Sequence, residues 1–114
     1  MSALQATARL SVHPGRLEDF KVAAARCIVS VREKDSGTLQ YDWFMNEAQT
    51  EFVVRETYRD SEAALEHVAN LGDLLGELLA VSDLAVEVFG VPSDELGAAL
   101  ASMGAQIYAP FRSV

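Results

Sequence analysis

Basic residues are scarce in this chain, and the scarcity closes off more functions than any motif opens. Nine Lys and Arg stand against seventeen Asp and Glu, a formal net charge of -8 at pH 7. Holding a phosphate backbone requires fixed positive charge in place of released counterions, so no nucleic acid is expected as a partner. The same sign of charge gives no attraction to anionic lipid. No apolar run approaches the roughly 18 residues of a membrane span, and MSALQATARLSV lacks the basic-then-apolar pattern of a signal peptide. Cysteine is limited to Cys27, which permits no internal disulfide and suits a reducing cytoplasm. With one cysteine, two histidines and no clustered spacing, no metal is expected, and the glycines form no phosphate cradle. What remains is a chain of 114 residues, long enough to bury a core as one domain, 1–114, without staples.

What is present is periodicity. Leu4, Ala6, Ala8, Leu10 and Val12 alternate with polar residues, the mark of a half-buried strand, and His13-Pro14-Gly15 stops it. Leu17, Phe20, Ala24, Cys27 and Val31 recur at steps of three and four, predicting a helix over 16–34 that ends at Asp35-Ser36-Gly37. Cys27 falls in its apolar stripe, so a buried, inert thiol is expected. Residues 37–58 read as a β-hairpin with its loop near 47–50. Asp60 or Ser61 caps a second helix with a stripe through Ala64, Val68 and Leu71; Gly72 interrupts it, and Leu74, Leu75, Leu78 and Leu79 carry on. Leu84, Val86 and Val88 mark a fourth strand. Ser93 opens a last short helix, Gly104 closes it, and an extended tail follows.

The order β-α-β-β-α-β predicts an α+β, ferredoxin-like domain with an antiparallel sheet, plus a C-terminal helix and a short tail strand. Both helices would cover one sheet face. The other face mixes Arg9, Asp42, Phe44, Val53, Arg55, Glu87 and Phe89, a surface suited to a second copy of the sheet in a homodimer.

The hairpin and the following helix hold the candidate site. Alternation places Leu39, Tyr41, Trp43 and Met45 on one face with Phe52, Val54, Glu56 and Tyr58. A four-residue loop would set Tyr41 opposite Glu56, Trp43 opposite Val54, and Asp42 opposite Arg55. Glu56 is then a lone carboxylate among apolar and aromatic side chains, where burial disfavours its charged form and makes it a candidate catalytic residue for proton transfer. His67, at the flank of the second helix's stripe, is the candidate base, because its ordinary titration lies near physiological pH. Tyr41, Trp43 and Tyr58 would line a pocket for a small apolar or aromatic ligand, completed by Phe20 and Leu71. Each of these has a plainer reading: aromatics on strands are commonly core, and a boundary histidine or a buried acid can serve structure alone.

With that order and those residues, the chain resembles the antibiotic biosynthesis monooxygenase family of small dimeric α+β-barrel proteins. The resemblance rests on His13-Pro14-Gly15 leading to Phe20, on Gly37-Thr38-Leu39 with Tyr41 and Trp43, and on Glu56-x-Tyr58. It continues through Asp60-Ser61-Glu62-Ala63 to His67, covers about residues 4–90, and leaves 91–114 as an extension. It implies a cofactor-independent monooxygenase of the quinol-oxidising kind, without metal or flavin, acting on a phenolic or quinol substrate. It leaves open a non-catalytic ligand-binding dimer and an isomerase of a small metabolite. Haem degradation fits less well: the first strand lacks the Asn and the third strand the Trp of that branch, and only His67 matches.

Overall fold

The computed structural model describes residues 3–114. Strand β1 (Leu4–Val12) leads through the His13-Pro14-Gly15 turn into α1 (Leu17–Lys34). The hairpin follows as β2 (Thr38–Met45) and β3 (Glu51–Tyr58), then α2 (Ser61–Leu71), α3 (Asp73–Leu79) and β4 (Ser82–Phe89). A C-terminal helix, α4 (Asp94–Ser102), and a short strand, β5 (Gln106–Tyr108), complete the chain. The sheet order is β2-β3-β1-β4-β5. Its first four strands are antiparallel, as the ferredoxin-like pattern predicts, while β5 joins β4 in parallel and makes the sheet mixed.

Alternation decides what is buried. Leu4, Ala6, Ala8 and Leu10 of β1 turn inward, as do Val54 of β3 and Val88 of β4. Phe20 and Cys27 of α1 pack onto that face with Leu71 and Leu78. Each large apolar side chain so removed from water contributes about 1.5–3 kcal/mol. The hairpin register is the one the loop length predicts: Tyr41 pairs with Glu56, Trp43 with Val54 and Asp42 with Arg55. Asn46 holds the loop by accepting the N–H groups of Thr50 and Glu51 at its Oδ1, 2.9 and 3.1 Å away.

Three local expectations are corrected. A bulge between Thr38 and Gln40 makes Leu39 the extra residue, so Leu39 is 64% exposed and Thr38 takes the inward place. Met45, on the edge strand beside the hairpin loop, is also exposed. In α2 the buried stripe is Ala63, Ala64, His67 and Leu71, and Val68 sits beside it, partly exposed. His67 therefore lies within the stripe rather than at its flank. The Asp60 carboxylate caps α2 by accepting from the Ala63 N–H at 2.8 Å, and Gly72, at φ 51°, breaks the helix where a side chain would be strained. No helix among the described residues is long and apolar enough to cross a membrane.

Candidate functional site

The inward stripe of α2 and the inward face of the hairpin meet around His67. Its ring stands 5.2 Å from the Tyr41 ring and 5.2 Å from the Tyr58 ring, centroid to centroid. Beneath it lies the side chain of Asp35, the residue that ends α1. His67 Nδ1 is 2.8 Å from Asp35 Oδ2, and the two side chains are 7% and 2% exposed. Two further donors converge on the same carboxylate: Thr38 Oγ1 at 2.6 Å from Oδ2 and Asn70 Nδ2 at 2.9 Å from Oδ1.

These bonds decide the electrostatics. Burial alone would raise the Asp35 pKa, but donation by Thr38, Asn70 and His67 outweighs it and holds the carboxyl below its ordinary range. An ionised carboxylate only accepts, so the hydrogen-bond network assigns the His67 proton to Nδ1. In the neutral ring the lone pair then sits on Nε2, which has no protein partner among the described residues. Such a histidine, oriented by a carboxylate, is equipped to take a proton.

Glu56 has the opposite environment. Burial raises its pKa, and the hydrogen bond from Tyr58 Oη to Oε1, with the nearby His67, only partly offsets that. Burial and the neighbouring Glu56 push the Tyr41 and Tyr58 hydroxyls upward as well, keeping both protonated. The indole N–H of Trp43 is buried without a hydrogen-bond partner. It comes near the Tyr41 hydroxyl but does not reach hydrogen-bond geometry.

His67, Glu56, Tyr41, Tyr58 and Trp43 border one cavity of roughly 100 Å³ between sheet and helices, while Asp35, Thr38 and Asn70 stand outside its lining. Of the candidates read from the sequence, Tyr41, Trp43, Glu56, Tyr58, His67 and Leu71 line it. Phe20 does not. It is fully buried, its ring 6.3 Å from Trp43 and 4.7 Å from Phe52, and it packs behind those side chains rather than reaching the cavity. Cys27 touches the cavity, but burial and the charge of Glu77 push its thiol up to about 11, which leaves it unreactive. Leu96, Leu100 and Met103, from α4 and the residue after it, add a further apolar part of the lining. Among the described residues, no three His, Cys, Asp or Glu side chains converge to hold a metal ion.

Asp35, Thr38 and Asn70 escaped sequence reasoning. One signal was available. An acid at the C-terminal end of a helix faces the negative end of the dipole, an unfavourable place unless donors await it.

Fold and site together define a small ferredoxin-like α+β protein with an acid–base pair in an apolar, aromatic-walled cavity. The chain belongs to the antibiotic biosynthesis monooxygenase family, whose profile matches residues 4–71. Among solved structures, MupZ from Pseudomonas fluorescens matches with a TM-score of 0.86 at 26% identity, over 100% of this chain and 94% of that one. SnoaB, a cofactor-independent oxygenase from Streptomyces nogalater, matches with a TM-score of 0.69 at 18% identity, over 82% of this chain and 96% of its own. Rv0793 from Mycobacterium tuberculosis gives 0.70 at 23% identity, over 82% and 97%. The last two likenesses concern the fold, whereas the likeness to MupZ includes α4 and β5. A comparison with curated proteins found no match.

Proposed function

We propose that the protein is a cofactor-independent monooxygenase of a small, single-ring phenol or quinol. The observation that carries this reading is the buried Asp35–His67 pair, with Nε2 left for an apolar cavity walled by Tyr41, Trp43 and Tyr58. A phenol deprotonated by Nε2 becomes electron-rich enough to donate to O₂ directly, and the apolar walls keep water from competing. For a quinol the stoichiometry closes without another reductant. O₂ adds to a ring carbon, the hydroperoxide loses water, and the hydroxyquinone keeps one oxygen atom. The cavity limits the substrate. At roughly 100 Å³ it is smaller than the void of about 150 Å³ that takes up benzene, so one ring already requires the walls to give.

Oxygen consumption over a panel of single-ring quinols and phenols tests the reading. Turnover above autoxidation is expected, with a loss in His67→Ala of roughly 10²-fold or more, the scale of a missing general base. Equal rates in the variant would remove His67 from the chemistry. Ligand-dependent melting without turnover would make the protein a binding module instead.

The sheet face away from the helices supports a homodimer as the working form, in a reducing cytoplasm. Phe44 and Phe89 are exposed there, beside Arg9 and Arg55 and the acids Asp42 and Glu87, a mixture that a second copy related by a two-fold axis can satisfy. Sedimentation at micromolar concentration is expected to give twice the chain mass, and Phe44→Asp is expected to halve it. A monomeric wild type refutes the dimer.

A further inference from the structure

Three groups with hydrogen-bonding capacity to spare converge on the cavity. His67 Nε2 is an acceptor without a protein partner, turned away from the Asp35 bond on Nδ1. Trp43 Nε1 is a buried donor without one. Glu56 uses Oε1 to accept from Tyr58, so in its acid form it carries its own proton on Oε2. A ligand that satisfies all three presents a removable proton to one side and an acceptor oxygen to the other. A carbonyl compound with a C–H next to the carbonyl does both, and the apolar walls call for a hydrocarbon ring.

We infer that the cavity is also a tautomerase site for small cyclic ketones, in which His67 removes the proton beside the carbonyl and Glu56 protonates the carbonyl oxygen. The step balances within the site. The C–H bond breaks and its proton passes to Nε2; the freed pair forms a C=C bond. The C=O pair moves to oxygen, which takes the proton from Glu56 Oε2 while Trp43 Nε1 donates a hydrogen bond to it. In return, Glu56 recovers its proton from the enol and the imidazolium delivers one to the same carbon or, in an unsaturated ring, to the far end of the dienol. No oxidant is needed. Opposed environments suit the two roles, because three donors keep Asp35 ionised behind the base while burial keeps Glu56 toward the acid.

The inference rests on the same Asp35–His67 base as the proposed oxygenation but not on oxygen. It also supplies that reaction with a substrate, since the enol form of a cyclohexadienone is a phenol. The test is therefore anaerobic. Wild-type protein under argon is given cyclohexanone in D₂O, followed by NMR for exchange beside the carbonyl. It is also given a β,γ-unsaturated cyclohexenone, followed by the absorbance of its conjugated isomer. Both rates are expected above those of buffer, and to fall roughly tenfold or more in His67→Gln and in Glu56→Gln. Glu56→Gln keeps an acceptor for Tyr58, so it carries the test if His67→Gln does not fold. Wild-type rates equal to buffer, or unchanged rates in Glu56→Gln, overturn the inference. Oxygen uptake without anaerobic turnover refutes the tautomerase alone, and anaerobic turnover without oxygen uptake refutes the oxygenase alone.

Discussion

Asp35→Asn is expected to lower turnover by up to roughly 10⁴-fold, the scale of replacing the carboxylate behind a catalytic histidine by its amide. Three donors, from Thr38, Asn70 and His67, meet two carboxylate oxygens in the wild type. An amide offers one oxygen. With its NH₂ toward His67, the ring must accept at Nδ1 and carry its proton on Nε2, which faces the base the wrong way. With its NH₂ toward Asn70, two donors confront each other in a buried place. The pH dependence of stability gives a second readout. Because the folded state holds Asp35 below its unfolded value, its contribution is present above the ordinary carboxylate range and is lost as pH falls through the folded value. Denaturant titrations should show the acid limb of wild type flattened in Asp35→Asn. Unchanged turnover together with an unchanged acid limb would remove Asp35 from both roles.

Gly37→Ala is expected to cost about 1–3 kcal/mol of stability, the range for forcing a methyl into a packed interior. A Cβ at Gly37 would stand 2.5 Å from Ala63 Cβ and 3.2 Å from the Arg59 guanidinium. Arg59 can swing aside; Ala63, in the first turn of α2, cannot. The clash acts at a sensitive place, since Gly37 lies between Asp35 and Thr38 while Ala63 lies one turn before His67. Turnover should therefore fall with stability. Ala63→Gly removes the opposing methyl, and a double-mutant cycle reads the coupling. Effects that add within about 0.5 kcal/mol would rule out this contact as the cause.

The contrast between hairpin and helix explains how far sequence reading reached. Alternation has period two and the loop length fixes the register, so Tyr41 opposite Glu56 was legible from spacing alone. The bulge at Leu39 was not, because one inserted residue reverses the faces on its near side and leaves no compositional mark. In α2, hydrophobicity favoured Val68 for the buried stripe; the helical period admits either Val68 or His67, and the carboxylate beneath His67 makes the polar side chain the better one to bury. Asp35 is 32 positions from its histidine. A contact over that distance is set by where α1 ends against α2, and no local pattern records it. The hairpin's aromatic residues were readable as one face, but the part of the lining that comes from α4 was not, because the C-terminal helix read only as an extension.

The cavity wall is assembled from two distant stretches of the chain. The base, its carboxylate and the acid lie within residues 35–67, at the end of α1, on the hairpin and on α2, whereas Leu96, Leu100 and Met103 bring the C-terminal stretch into the cavity lining. Leu96 and Leu100 pack in one apolar cluster with Tyr58, Ala63 and Ala64, and the Ser93 N–H bonds Ser61 at the start of α2. A change in the C-terminal helix therefore reshapes the cavity and presses on the wall that carries the base at the same time.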